Sequence, residues 1–516
     1  MSRVVSDHLF LLIKSLTGSE KRYFKLFISG ADKNPTYVQL FDAIDSQKVY
    51  TEQKILKKVK SVKPAQLSNL KNYLYNMILD SLRNYHAEKG INLRLRALLD
   101  KIEILYDKRL PEQCLKQIEK AKSIASKYEL DNQLIEVLTW ERKIVDMNVH
   151  PKNTMQSALP LFDQMTKAME KQMNTTRYAR IFRLAVETFR QEGILRNEKS
   201  NAEVKKIMRH DLLKHGKKLI SYHDYYYYYS IHSIYQILKG NWKLQYQYQK
   251  KLLDLMDTHP EQVEYSPNVY LGCQNTHIIS CQYTGNYNEM ISTFEKVRLL
   301  FHKRYLSWEA NLLIQFLGCY NSMMHFYTQN GEFEKGLILF REIEPAFKKL
   351  KSNMSKSIEF SVSYTMAYTY FGVKKYTSCL PWLNNILNEP SANVIREDLQ
   401  SFARILNLIV HYELGNKNLL EYLVISTYRF LYRRERLHVV EALVLDFIRK
   451  SSGIKTNEDM IRLFAIFRKE LLKINKNSYD QKALSYFNFV AWLESKIENK
   501  DFAEVVKRNY GKKELV

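Results

Sequence analysis

Three stretches of this chain repeat one design: "YQILKGNWKLQYQYQKKLL", "SCQYTGNYNEMISTFEKVRLL" and "HFYTQNGEFEKGLILFREIEP". Each runs from an apolar helical segment through a Gly-Asn or Gly-Glu turn to an aromatic residue and a second helical segment. Trp242, Tyr287, Phe333 and, in "FGVKKYTSCLPWLNNIL", Tyr376 follow one another at intervals of 45, 46 and 43 residues. A period of this size belongs to stacked helical hairpins, because one hairpin is too small to bury its own apolar face and must lean on the next. Gly240, Gly285 and Gly331 suit the left-handed conformation that ends a first helix. The aromatic after each turn is expected to wedge between the two helices of its hairpin. Weaker echoes near Leu110, Met155, Glu198, Leu419 and Met460 and at Phe502 extend the pattern to about ten hairpins between residues 91 and 510, with 511–516 a short basic tail.

Composition agrees with an all-α chain. Among 516 residues there are 15 Gly and 10 Pro, about one residue in twenty against about one in eight in an average protein. β-Hairpins, β-barrels and β-sandwiches with glycine-dependent turns are therefore disfavoured. Hydrophobic residues at 45% and charged residues at 26% are those of a chain that folds along its length.

The repeat carrying Tyr320, Met323, Tyr327, Gly331, Phe333, Gly336, Phe340 and Ile343 resembles the tetratricopeptide-repeat (TPR) family, with large, aromatic, turn-glycine and small residues where that family has them. Met290 and Gln245 stand where the second helix of the family has a small residue, and the period exceeds the family's roughly 34 residues. The layout is also similar to that of uncharacterised helical-repeat proteins of Bacteroidota, a resemblance that implies no activity. The TPR resemblance implies a superhelical array of antiparallel helix hairpins whose concave face, lined by the first helices, binds a peptide segment or protein partner.

Residues 1–90 lack the repeat and are read as an N-terminal helical cap or small domain of four or five helices. Thr17 with Glu20 has the form of a capping box. Pro35 and Pro64 suit first helical turns, and Thr51 suits an N-cap. A helix-turn-helix reading is weakened by the length of the last helix, from about Pro64 to Ala87, and by the few bases on its face.

Catalytic signatures are missing. "SSGIKT" lacks the glycine and loop that cradle phosphate, and there is no H-E-x-x-H, G-x-S-x-G or G-x-G-x-x-G. The thirteen His are scattered, with none beside a Cys or carboxylate at metal-ligand spacing. No enzyme, metal or cofactor is expected. The five Cys are odd in number and contain no C-x-x-C pair, which points to buried thiols in a reducing compartment. Asp7 and Lys14 interrupt the first apolar run, and no run approaches the ~18 residues that span a bilayer, so a cytoplasmic protein without membrane insertion is expected.

Binding candidates come from two places. Five consecutive tyrosines, Tyr225 to Tyr229, must point in every direction around a helix turning ~100° per residue. A single buried stripe through Ile231, Ile234 and Leu238 puts Tyr227 in the core. The TPR register instead turns Tyr227, Ser230 and Ile234 toward the groove, and the two readings stay open. The same register places Asn275, Gln282, Asn321, His325, Tyr364 and Tyr368 on the groove surface, where amide and phenol groups suit an extended peptide. The second candidate is Arg429, Arg433 and Arg436 in "YRFLYRRERLHVV", on one helix face, suited to carboxylates or phosphates. Lys plus Arg at 79 against 55 Asp plus Glu, a net +24, makes nucleic acid or the ribosome the alternative partner.

Overall fold

The computed structural model describes residues 8–31, 35–87, 90–147, 154–192, 198–214, 219–304, 310–351, 354–389, 396–434, 437–474, 484 and 486–514. Among them are twenty-five α-helices, one short 3-10 turn and no strand. Sequential helices pack against one another, and none is long and apolar enough to cross a membrane. The chain divides into two compact units, one of residues 1–177 with 220–222 and the other of 178–219 with 223–516. This division falls inside the helix Thr154–Glu192, whereas the sequence reading ends its N-terminal domain at residue 90.

In the first unit, the helices His8–Ser15, Gly18–Ala31, Pro35–Asp45, Glu52–Lys58 and Pro64–His86 share a core built on Ile13, Phe24, Leu40, Phe41, Ile44, Ile55, Leu74 and Ile78. The capping box is present: Thr17 N–H donates to Glu20 Oε2 at 2.7 Å, and Glu20 N–H donates to Thr17 Oγ1 at 3.3 Å. Pro64 and Pro35 each open a helix. Thr51 stands at an N-cap, but its side chain makes no capping bond.

The second unit shows the hairpins most clearly. The pairs are Tyr222–Lys239 with Trp242–Asp257, Pro267–Thr284 with Tyr287–Arg304, Ala310–Gln329 with Phe333–Leu350, Lys356–Gly372 with Tyr376–Leu387, Glu397–Glu413 with Lys417–Arg433, Val439–Ser451 with Asn457–Leu472, and Phe489–Ile497 with Phe502–Glu514. Trp242, Tyr287, Phe333 and Tyr376 are each the first residue of a second helix. Toward the N-terminus the hairpins are less regular. Ile91–Asp107 and Pro111–Lys127 pair, but Thr154–Glu192 runs unbroken where two separate helices are expected, because no glycine interrupts it and Pro160 lies near its start.

One turn recurs through the array. Arg109, Gly240, Gly285, Gly331, Lys374, Gly415 and Asn499 all have φ between 50° and 75°. The residue after each donates its N–H to the carbonyl five residues back, as from Asn286 to Cys281 at 2.9 Å, Glu332 to Tyr327 at 2.8 Å and Lys375 to Tyr370 at 3.0 Å. This is the Schellman ending, which satisfies helix-end carbonyls and reverses the chain within a few residues.

Of the four turn aromatics, Tyr376 packs within its own hairpin, on Phe371 at 5.2 Å, whereas each of the other three extends beyond its own hairpin. Those three reach the first helix of the next: Trp242 stacks on Tyr283 with centroids 3.9 Å apart, Tyr287 meets Phe326 at 5.6 Å and Phe333 meets Tyr368 at 5.7 Å. The fully buried Phe333 ring occupies the space beside Gly372, where an added Cβ would come within 2.1 Å of it. The last hairpin then folds back on the middle of the unit. Phe502 stacks on Phe333, Lys374 Nζ lies 2.6 Å from Asp501, and the Tyr510 hydroxyl donates to that of Tyr287 at 2.6 Å. At Gly331 an added Cβ would stand 2.5 Å from the Ala503 carbonyl oxygen.

These three glycines separate backbone strain from crowding. Gly285→Ala meets no neighbour within 4 Å and is expected to cost about 1–2 kcal/mol from its left-handed backbone alone. Gly372→Ala forces the Phe333 ring out of a close-packed site and is expected to cost about 1–3 kcal/mol or more. Gly331→Ala carries both penalties and should lower the denaturant midpoint most, which chemical unfolding of the three variants tests.

Candidate functional site

The predicted groove residues turn out to hold the hairpins together. Asn275 Oδ1 accepts from the Ser322 hydroxyl at 2.7 Å, and Asn321 Nδ2 donates to Ser361 Oγ at 3.1 Å, so each Asn bonds to the first helix of the following hairpin. Gly318 permits this approach, since an added Cβ would lie 3.3 Å from the Asn275 amide. Ser230 is buried, and Tyr227 is half-buried against Phe182 at 5.3 Å, beside Ile231. Burial raises the Tyr227 phenol pKa above 10. The core placement of Tyr227 is the one the structure takes, whereas Ser230 is enclosed and not turned out.

Tyr364 and Tyr368 are core residues, contrary to the groove reading, because the chain's own C-terminal segment lies on them. The Tyr364 hydroxyl donates to the Tyr486 carbonyl at 3.3 Å, and the Tyr368 hydroxyl accepts from Asn488 N–H at 3.2 Å. Phe487 packs on Tyr368 and Phe371. Gln282 is half-buried, while His325 is exposed. Partial loss of hydration lowers the His325 pKa below 6.5.

The arginine face lies elsewhere, on the helix Lys417–Arg433. Leu420, Thr427 and Leu431 fasten its inner side. Outward, Leu419, Tyr422, Ile425, Tyr428 and Tyr432 are 42%, 68%, 52%, 47% and 66% exposed, a contiguous row of large apolar side chains in water. The Tyr428 and Tyr432 rings stack at 5.8 Å. Arg429 and Arg433 are exposed along the same row; Arg436 lies outside the described residues. At the end of the helix, Phe430 is flanked by the guanidinium groups of Arg404 at 3.9 Å and Arg434 at 4.2 Å from its centroid. Burial, and then the charge of Arg434, pull the Arg404 pKa below its usual value, and Arg404 Nε has no hydrogen-bond partner.

The sequence reading found the arginines of this helix and missed its apolar row. The signal was present: Leu419, Tyr422, Ile425 and Tyr428 recur every third residue and complete a second apolar stripe beside the buried one, so the helix has apolar residues on more of its circumference than one core contact needs. No known family description matches this chain, and no relative appears among curated proteins.

His232, on the helix Tyr222–Lys239, provides a pH handle on the array. Its ring stacks on Tyr248 at 4.8 Å, its buried Nε2 has no partner, and burial followed by the nearby charge of Lys251 holds its pKa down at about 4. The folded state thus binds the proton more weakly than the unfolded chain at 6.5. Stability from this group is full above pH 6.5 and is lost as pH falls toward 4, with His325 and His411 shifted in the same direction. The thermal midpoint is expected to drop between pH 7 and 4, and His232→Phe to make that drop shallower.

Proposed function

We propose that this chain is a non-catalytic, cytoplasmic, TPR-like scaffold that holds an acidic protein segment against the helix Lys417–Arg433. The observation that carries this reading is the exposed row Leu419, Tyr422, Ile425, Tyr428 and Tyr432 with Arg429 and Arg433 beside it. Large apolar side chains left in water in a continuous row mark a surface that gains free energy when a partner covers it. Tyr and Arg are the residues most often responsible for such binding energy. The arginines, with Arg404 and Arg434 at the helix end and a net charge of +24 on the whole chain, favour a partner rich in Asp or Glu.

The TPR-like part of the reading is supported by the recurrent turn and by Gly336, whose missing Cβ lets Thr369 of the next hairpin approach to 3.2 Å of where it would stand. The groove set offers less to a peptide, since Asn275, Asn321, Tyr364 and Tyr368 already serve contacts within the chain. A nucleic acid would use the tyrosines as stacking platforms and the arginines for phosphate. Leu419 and Ile425 present no ring for a base to stack on, which favours a protein partner.

A photo-crosslinking residue placed at Ile425 in the producing cells tests the reading. The expected adduct is a single protein, linked through an acidic segment, resistant to nuclease and reduced about tenfold by combined Arg429→Glu and Arg433→Glu, the equivalent of about 1.4 kcal/mol. An adduct that nuclease removes would replace the protein partner with nucleic acid.

A further inference from the structure

The fold brings together three side chains that the sequence reading kept apart. His277 and Cys281 lie one turn apart on the helix Pro267–Thr284, and Glu289 stands in the first turn of the partner helix Tyr287–Arg304. His277 Nε2 is 3.5 Å from Cys281 Sγ and 3.2 Å from Glu289 Oε1, and the three donor atoms all lie within 4.8 Å of one another. His277 and Cys281 are buried, while the Glu289 side chain is 36% exposed and so opens the cluster to solvent.

We propose that His277, Cys281 and Glu289 form a binding site for a divalent transition-metal ion of the Zn²⁺ class. Tetrahedral bonds of about 2.3 Å to sulfur and about 2.0–2.1 Å to nitrogen and oxygen place the ligand atoms roughly 3.4–3.6 Å apart. The two observed separations are close to those edges. Hydrogen bonding alone serves the three groups poorly, because a single Nε2 cannot donate a proton to Glu289 and accept one from Cys281 at the same time. An ion at their centre bonds all three. On binding, the Cys281 thiol proton passes to solvent, and the thiolate and carboxylate together neutralise the 2+ charge. One tetrahedral position remains for a water.

The surroundings suit this role. The Tyr246 hydroxyl, from the preceding hairpin, hydrogen-bonds Glu289 Oε2 and leaves Oε1 turned toward His277 and Cys281. A partner that fixes a ligating carboxylate in this way tunes metal affinity. The Lys250 ammonium lies 3.7 Å from Glu289 Oε1 as its counter-ion, and its side chain is 53% exposed, so it can move into water when the ion arrives. The site then joins the two helices of one hairpin and, through Tyr246, ties them to the hairpin before.

Titration of the full chain, stripped by chelator, with Co²⁺ tests the assignment. The expected result is a visible tetrahedral band and a thiolate-to-cobalt charge-transfer band at one equivalent, both removed by Zn²⁺. Cys281→Ser should abolish the charge-transfer band, and Glu289→Gln, at a partly exposed position, should weaken Co²⁺ binding at least tenfold with the helical circular-dichroism signal unchanged. Tyr246→Phe should weaken it by about tenfold. Wild-type protein without a charge-transfer band at stoichiometric Co²⁺, or a band that persists in Cys281→Ser, would overturn the site.

Discussion

The left-handed residue that ends the first helix of seven of the hairpins is the constraint from which most of the array follows. It lets the next N–H reach back five residues and close the helix, so the chain reverses without leaving buried carbonyls unpaired. Glycine fills it at four of the turns; Arg109, Lys374 and Asn499 accept the same φ with a side chain, at an expense of roughly 1–2 kcal/mol that the surrounding packing must outweigh. Because the turn is short, the first residue of the second helix emerges at a set place. That is why Trp242, Tyr287 and Phe333 can all meet the next hairpin in the same way.

A second consequence comes from the chain's own C-terminus. The segment 486–514 lies on Tyr364, Tyr368, Phe333 and the Gly331 turn, with Trp492 buried and its indole N–H donated to Glu413 at 2.6 Å. Aromatic rings that an open array would present to a ligand are here core. One surface left with large apolar side chains in water is on the second helix Lys417–Arg433, where no described segment covers it.

Much of the hairpin layout was legible. The turn glycines, the aromatic starts of second helices and the capping box at Thr17 and Glu20 all depend on residues within a few positions of one another, so their spacing carries the information. The Thr51 side chain makes no cap bond, and the helix through Thr154–Glu192 continues where an interruption was expected. The candidate binding residues were legible only as types. Asn275 and Asn321 do face a neighbouring helix at equivalent positions, yet the neighbour's Ser322 and Ser361 take up their hydrogen bonds.

By itself, the sequence determined an all-helical chain of consecutive paired helices, because helix periodicity and turn stereochemistry are properties of short segments. Which faces remain in water was decided only by tertiary structure. Tyr368 is closed off by Asn488 and Phe487, 120 and 119 residues further along, and His277 meets Glu289 only because the Gly285 turn brings two helices side by side. Contacts of that range depend on how whole helices stack, and the pattern of any one helix does not contain them.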